Sequence, residues 1–215
     1  MNKKEALIKV HGYISSDGMM YTWKSKDIHG KRLRIRKRLR IRFYNQEEVL
    51  INDFIKTVQK IYSPKKKYIT YRPKRNELEV RGQIICKALL SLGSVNTKNW
   101  EMPKNLTQKQ KSIWIRAFAD CDGTVGNYNY HRYVAIDSIN INGLKQISGT
   151  LGDFKIPNRI YQIEYKGYTS YRLKISGKAS LIKYKKLIGF NHPKKQAKLN
   201  MAIKSYKQNI LKTIF

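Results

Sequence analysis

One order of secondary-structure elements is predicted twice along this chain of 215 residues. Apolar positions at helical spacing and alternating strand patterns give the order αββαββα up to Gly93, and the same order recurs after a polar connector. Matching positions keep a nearly constant separation: Leu50 and Leu144 are 94 residues apart, and Gly82 and Gly177 are 95 apart. A chain of this length can hold two small fused repeats. The sequence therefore predicts a duplicated α+β fold.

The predicted repeats divide the chain into residues 1–94, a connector at 95–110, and residues 111–215. We expect helices at 5–17, 46–62, 83–93, 111–122, 142–153 and 178–188. Strands are expected near 19–26, 31–44, 67–72 and 77–81, with two further hairpins near 124–138 and 159–176. The first repeat carries about 10 or 11 extra residues between its first two helices.

Both repeats begin with a helix that ends in Asp-Gly, in the segments VHGYISSDG (10–18) and IRAFADCDG (115–123). Each helix carries two small residues four positions apart, which form a stripe where two backbones can approach closely. We therefore expect the helices to pack together and to bring Asp17 and Asp122 side by side. A helix C-terminus is already partly negative, and the two acids repel each other. A divalent cation such as Mg²⁺, which prefers oxygen ligands, would relieve this conflict.

The extra residues of the first repeat include the strand KRLRIRKRLRIRFY (31–44), with an arginine at every even position from 32 to 42. If the apolar odd positions face the helices, the arginines share the opposite face. Lys37 occupies one of the inward positions, so we expect the strand to bulge or bend there and to project as an arm. By the same parity, we expect these side chains to face nucleic acid: Lys24, Lys26, Arg32, Arg34, Arg36, Arg38, Arg40, Arg42, Glu79, Arg81, Arg172 and Lys174.

The charge of the chain favours a polyanionic partner. It has 45 Lys and Arg against 14 Asp and Glu, a formal charge of +31 that a nucleic acid would neutralise. There is no apolar run of about 18 residues and no signal-peptide core, so we expect an intracellular, cytoplasmic protein without a membrane partner. Cys86 and Cys121 have no disulfide or zinc spacing, and both are expected to be small buried residues.

The two Asp-Gly segments resemble the LAGLIDADG motif, and the chain is similar to single-chain homing endonucleases of the archaeal, intron-encoded kind. The second segment fits at Asp120, Asp122 and Gly123. In the first, Ser15 replaces the earlier acid and His11 replaces a small residue. The resemblance covers about residues 5–205 and implies two four-stranded antiparallel sheets forming a saddle over DNA.

The resemblance also implies a reaction. Asp17 and Asp122, with the carbonyls of Ser16 and Cys121, would hold Mg²⁺ or Mn²⁺ beside phosphates on opposite strands, leading to a staggered double-strand cut with 3′ overhangs. The expected substrate is a long, nearly asymmetric duplex bound by a monomer, and the cut would promote intron mobility. Further candidates for catalytic roles are Lys98, Lys194 and Lys195, as basic side chains that stabilise the charge developing at each phosphate. The pair Gln46 and Asn140, equivalent at a separation of 94, could orient water.

Two other functions stay open. A protein of this family can act as an intron RNA-splicing maturase, or can bind DNA after losing cleavage. A ribosomal or architectural protein could instead bind nucleic acid through charge alone, which would make the paired Asp-Gly helices a coincidence. Inteins can carry the same nuclease unit, but about nine residues precede the first motif, so we expect no splicing domain.

Overall fold

A computed structural model of the chain describes residues 1–29, 32–62 and 68–206. For residues 25–29, 32–34 and 36 it describes the backbone alone. Within these ranges, no helix combines the length and the apolar character that a membrane span requires.

The structure contains the two predicted repeats, and their elements follow the predicted order. The first repeat comprises α1 (Lys3–Asp17), β1 (Gly18–His29), β2 (Arg32–Tyr44), α2 (Glu48–Ile61), β3 (Ile69–Arg72), β4 (Glu77–Arg81) and α3 (Gln83–Leu90). The second comprises α4 (Gln108–Asp122), β5 (Gly123–Tyr128), β6 (His131–Ser138), α5 (Ile141–Asp153), β7 (Arg159–Tyr165), β8 (Tyr168–Ser176) and α6 (Lys178–Leu187). An additional helix, α7 (Pro193–Ser205), follows and begins at a proline, a residue suited to a first helical turn.

Each repeat forms one four-stranded antiparallel sheet, ordered β1-β2-β4-β3 in the first and β5-β6-β8-β7 in the second. The predicted α+β fold is therefore confirmed. Each sheet covers its own core. In the first core Phe43 stacks on Phe54 with ring centroids 4.6 Å apart, and in the second Trp114 packs on Phe118 at 5.3 Å. The connector is not a free linker, because its Trp100 is buried against Phe118 at 4.6 Å.

The helices α1 and α4 pack directly against each other, as the small-residue stripes predict. A Cβ atom added to Gly12 would lie 2.7 Å from the carbonyl oxygen of Trp114 and 3.1 Å from the Cβ of Ala117. Only glycine permits this approach. Capping boxes fix the start of both helices, through Asn2 in α1 and Thr107 in α4.

The first hairpin is much longer than its counterpart in the second repeat. Gly18 pairs with Phe43 and Gly123 pairs with Ile136, so the hairpins span 26 and 14 residues, a difference of 12. The β1–β2 register is continuous, so the predicted bulge at Lys37 is wrong. Pairing of β2 with β4 ends at Arg40, and the hairpin continues alone beyond it, with Ile35 59% exposed. The predicted projection of the arm is confirmed.

The face assigned to Lys24 is also wrong. Directly opposed residues in an antiparallel pair point to the same face. Lys24 is opposed to Lys37, which places it on the face of the odd-numbered β2 residues. The described β1 side chains that share the arginine face are instead Met19, Tyr21 and Trp23.

Candidate active site and nucleic-acid interface

Asp17 and Asp122 are the last residues of the two packed helices, as expected. Each is followed by a glycine that allows the chain to leave the helix sharply into a strand. A Cβ on Gly18 would lie 2.6 Å from the Cα of Ile14, and a Cβ on Gly123 would lie 2.3 Å from the carbonyl oxygen of Ala119. Packing at the helix end therefore requires the two glycines, whereas these contacts place no such demand on the aspartates.

Both aspartates are held in an environment that disfavours their charge. Burial raises the pKa of Asp17, although hydrogen bonds from Cys121 and Asn45 and the charge of Lys195 oppose the shift. Burial, followed by the negative charge of Asp17, raises the pKa of Asp122 to about 7, again against Lys195. The two carboxylates thus lie close enough to repel each other.

The donors at this site suit a hard divalent cation. Two carboxylates at paired helix ends offer only oxygen, and Mg²⁺ needs one or two carboxylates when water or phosphate completes its shell. Over the described part of the chain, no group of three or more His, Cys, Asp and Glu side chains converges as a preformed cage. The residues fit an ion shared with phosphate better than a closed structural site.

Asn45 is a site residue that sequence reasoning missed. Its Nδ2 donates to Oδ2 of Asp17 at 2.8 Å, while its Oδ1 accepts from the backbone N–H of Glu47 at 2.9 Å. The amide is therefore fixed at both ends. The sequence suggested the neighbouring Gln46, which is exposed.

The predicted equivalence of Gln46 and Asn140 is wrong by one residue. Asn140 is the N-cap of α5 and corresponds to Glu47, the N-cap of α2, at a separation of 93. Buried helix positions keep the same separation, pairing Ile51, Phe54 and Val58 with Leu144, Ile147 and Leu151. Asn140 uses its side chain to cap α5 through the N–H of Gly143 at 3.0 Å and to donate to the carbonyl of Trp100 at 2.7 Å. Both contacts of the Asn140 side chain stabilise the fold.

Lys195 is the predicted lysine that the structure brings to the carboxylates. Its Nζ donates to three successive carbonyls at the end of α4, at 3.3, 2.7 and 2.7 Å from the oxygens of Ala119, Asp120 and Cys121. A partly buried ammonium group thus neutralises a helix C-terminus, and burial lowers the pKa of Lys195. It already occupies the Cys121 carbonyl that the sequence assigned to metal.

The other two lysines are placed elsewhere. Lys194 is exposed and donates to Oε1 of Glu47 at 2.8 Å. Lys98 is exposed in the connector, where its backbone N–H donates to Asn96 at 3.0 Å. The hydroxyl of Ser16 donates back into its own helix, to the carbonyls of Gly12 and Tyr13. Cys121 is only partly buried, unlike Cys86.

Asp120, the earlier acid of the second motif, anchors α7. Its Oδ1 accepts from the backbone N–H groups of Asn191 and His192, at 2.8 and 3.0 Å. These residues form the turn that leads into α7 and hence to Lys195. Burial raises the pKa of Asp120 to about 6, against these hydrogen bonds. The first repeat has Ser15 at this position.

The first sheet presents a cationic outer face, as its parity predicts. Ile41 and Phe43 are fully buried, while Arg40 and Arg42 lie on the opposite face, over the rings of Trp23 and Tyr21 at 4.5 and 4.4 Å. Arg38 is exposed farther out. Glu79 and Arg81 share this face. The side chains predicted to contact DNA at Lys26, Arg32, Arg34 and Arg36 lie outside the described part of the structure.

The outer face of the second sheet is less cationic. Leu173 and Ile175 are buried, so Arg172 and Lys174 face outward as predicted. Arg172 binds Asp137 through two hydrogen bonds of 2.7 and 2.8 Å, and Lys174 lies 4.7 Å from the ring centre of Tyr133. Several tyrosines of this sheet are exposed, namely Tyr128, Tyr161, Tyr165 and Tyr168.

Comparisons with known proteins match this architecture. Residues 109–189 match the family model described as LAGLIDADG-like domain. A DNA polymerase of Thermococcus kodakarensis is 30% identical over 122 residues, which cover 55% of this chain and 7% of the polymerase. The chain therefore spans a small fraction of that curated relative.

The solved structures share the fold of most of the chain. Mesophilic variants of the homing endonuclease I-DmoI superpose with a TM-score of 0.66 at 19% identity, covering 87% of this chain and 92% of theirs. I-DmoI in complex with DNA and Ca gives 0.65 at 17% identity, covering 87% and 91%. The N-terminal LAGLIDADG domain of DUF199/WhiA gives 0.55 at 14%, covering 88% and 83%. Residues 109–189 thus match a LAGLIDADG-like domain, and most of the chain has the fold of the homing endonuclease I-DmoI.

Proposed function

We propose that this protein is a site-specific DNA endonuclease that makes a metal-dependent, staggered double-strand cut and so promotes the mobility of an intron. The observation that supports this most directly is the pair Asp17 and Asp122 at the ends of two packed helices, one from each repeat. Solved structures of I-DmoI contain its target DNA with Mn or Mg. The matching fold and the oxygen donors suggest the same classes of partner for this chain.

In the proposed reaction, each residue of the site would have a separate role. Asp17 and Asp122 would hold Mg²⁺ or Mn²⁺, and Asn45 would keep the Asp17 carboxylate in one orientation. Lys195 holds the end of α4 in place and supplies positive charge beside both aspartates. A divalent ion bound there supplies Lewis-acid stabilisation of the phosphate and lowers the pKa of water. Because the surroundings of the two aspartates differ, we expect the two strands to be cut at unequal rates.

The substrate we propose is a long, nearly asymmetric DNA duplex bound by one copy of the chain. The outer faces of the two sheets would each follow one half of the target in the major groove, which admits a β-ribbon. The first sheet presents mainly arginine, whereas the second presents tyrosine together with an Arg172–Asp137 pair. Two such different faces suit two different half-sites.

The direct test is cleavage of a supercoiled plasmid that carries the joined exons of the host gene, with Mg²⁺ and then with EDTA. We expect linear product with Mg²⁺ only. Asp17→Asn and Asp122→Asn should each abolish linearisation or reduce it to nicking, while DNA binding survives. Asp153→Asn is the matched control, because Asp153 is an exposed carboxylate that pairs with Lys111. Full cutting by both motif variants would disprove the assignment.

A second candidate function is RNA splicing, and one observation favours it. Helices α6 and α7 together contain eight lysines and no acidic residue. Lys195 belongs to the proposed cleavage centre, and Lys194 pairs with Glu47. The other six lysines lie on helices and not on the sheet faces that we propose to bind DNA. Binding of the host intron transcript that is not displaced by target duplex would support this role, and full displacement would contradict it.

A further inference from the structure

Two glutamates are buried on the arginine-bearing face of the first sheet. Glu77 is 4% exposed and Glu79 is 1% exposed, although both lie on the outer face, opposite Tyr44 and Arg42. A carboxylate in this position repels the phosphates of a bound duplex. The two glutamates therefore do not serve to attract the ligand, and their presence on this face needs a different explanation.

The glutamates organise the arginines around them. Glu79 accepts from Arg81 Nε at 2.8 Å, Tyr21 Oη at 2.8 Å and Arg40 Nη1 at 3.2 Å. Burial raises the pKa of Glu79, but Arg81, Tyr21 and Arg40 lower it by more, to about 2, so the group stays ionised. Glu77 accepts from Arg72. Arg42 lies between the two carboxylates, with its Nε 3.6 Å from each.

Aromatic rings hold two of these arginines from the other side. Arg40 lies over Trp23 and Arg42 over Tyr21. A free arginine loses rotamer freedom when it binds a ligand. These contacts restrict the two side chains on folding instead, so that less freedom is left to lose on binding. A guanidinium has five N–H donors. Arg81 gives Glu79 its Nε–H and Arg40 gives an Nη1–H, so both retain donors for a ligand.

We propose that Glu79, assisted by Glu77, is a positioning residue that presets Arg40, Arg42, Arg72 and Arg81 to recognise guanines in the half-site bound by the first sheet. Guanine offers O6 and N7 as paired acceptors in the major groove, which match the donor fork of arginine. The exposed fractions of Arg72 and Arg81, 34% and 41%, make them the most accessible of the four. This inference rests on the proposed binding of DNA by this face.

The variant Glu79→Gln tests this proposal, because the loss of a negative charge and the loss of arginine positioning have opposite effects on binding to the preferred site. Removing a negative charge alone should strengthen binding to every duplex. Loss of positioning should instead weaken binding to the preferred site by about tenfold, while affinity for a scrambled duplex stays equal or rises. We would select preferred sites from a randomised duplex pool with the wild-type chain in EDTA, and then measure both affinities. Glu48→Gln, an exposed carboxylate on α2, is the charge-matched control and should leave the ratio unchanged.

A second variant covers the case in which Glu79→Gln does not fold, which thermal unfolding would show. Arg81→Lys keeps the charge but loses the planar fork. It should lose preference at one guanine and retain its affinity for the scrambled duplex.

Three results would overturn the proposal. These are parallel gains of affinity for both duplexes, an unchanged ratio in both variants, and a wild-type selection without guanine preference. Binding is measured in EDTA, so this test does not depend on cleavage. A chain that failed to cut DNA would contradict the proposed nuclease activity but not the positioning role of Glu79.

Discussion

His11 lies between the two motif helices and is fully buried. Its Nδ1 accepts from the indole N–H of Trp114 at 3.0 Å, and its Nε2 lies 3.4 Å from the carbonyl oxygen of Gly93. The ring therefore suits the neutral form with the proton on Nε2. Burial lowers the pKa of His11 to about 4, despite the opposing contact with Gly93. His11, which replaces a small residue of the motif, thus links the two repeats through its hydrogen bond with Trp114.

This contact predicts a pH dependence of stability. Between about pH 6.5 and pH 4 the unfolded chain binds a proton at His11 and the folded chain does not, so the free energy of unfolding falls as the pH falls. We expect a loss of roughly 3 kcal/mol from this group across that window. Urea unfolding at several pH values measures it.

The variant His11→Gln provides the comparison. It should be less stable near neutral pH, yet lose less stability on acidification, because the titrating ring is gone. Identical slopes for the two proteins would show that His11 does not control the acid sensitivity.

Single residues were predictable where the motif fixes them and not where tertiary contacts do. Asp17 and Asp122 follow from their place at the helix ends. Asn45 does not, because its contact with Asp17 depends on the register at which β2 meets α2, and an error of one residue selects Gln46. Lys195 could not be separated from Lys194 by sequence, since only the direction of α7 decides which lysine reaches α4.

At the level of elements, the contact between α1 and α4 depends on a missing side chain. We expect Gly12→Ala to destabilise the fold by roughly 1–3 kcal/mol, because the new Cβ would overlap the backbone of Trp114. Gly149→Ala is the matched control within α5, where a Cβ has no neighbour within 4 Å. It should stabilise by about 0.5–1 kcal/mol through helix propensity. Thermal unfolding distinguishes the pair, and equal shifts would contradict close helix packing.

Helix α7 acts on the site through one ammonium group. Lys195→Met should cost roughly 1–3 kcal/mol of stability, since it leaves carbonyls at the end of α4 without their charged donor. It should also slow cleavage, because Asp17 and Asp122 lose the positive charge of Lys195.

Lys194→Met is the control for the neighbouring position, because Lys194 is 78% exposed and pairs only with Glu47 among the contacts described above. We expect a change within about 0.5 kcal/mol. If both variants behaved alike, the capping role of Lys195 would be refuted. Denaturant unfolding and plasmid cleavage supply the two measurements.

Strand faces show where sequence patterns stop being sufficient. The alternation in β2 places Ile41 and Phe43 inward, and the structure agrees. The prediction for Lys24 assumed that even-numbered residues of β1 and β2 share one face. The pairing register of the hairpin decides which β1 residue opposes which arginine, and it does not follow from residue numbers. A strand with few large apolar residues gives no independent check on that register.

For the whole molecule, we expect the long first hairpin to contribute a measurable part of the salt dependence of DNA affinity. Residues 25–36 contain five basic residues and one acid. Replacing them with an Asn-Gly turn should shorten the arm without disturbing the four-stranded sheet, whose pairing with β4 ends at Arg40. The slope of log affinity against log salt should become shallower by up to about 4. An unchanged slope would show that the arm does not contact phosphate.

The overall architecture was the most predictable part of the protein. Two repeats with matching periodicity determine the helices and strands, and the Asp-Gly motifs determine which helices meet. Trp100 is the exception at this scale. A polar connector gives no signal that one indole will be buried in the second core, because that depends on a cavity formed by Phe118 and Trp114.

The 12 additional residues of the first hairpin make the two halves of the molecule unequal in length. Six more residues in each strand extend it by about 20 Å, close to six base pairs at about 3.4 Å each. On the proposed substrate, the chain would protect a footprint that is longer on one side of the cut, and rotating the protein by half a turn would not restore the same complex. The two flanks of the target would therefore face unequal selection, with the flank under the arm tolerating fewer changes in charge and groove shape.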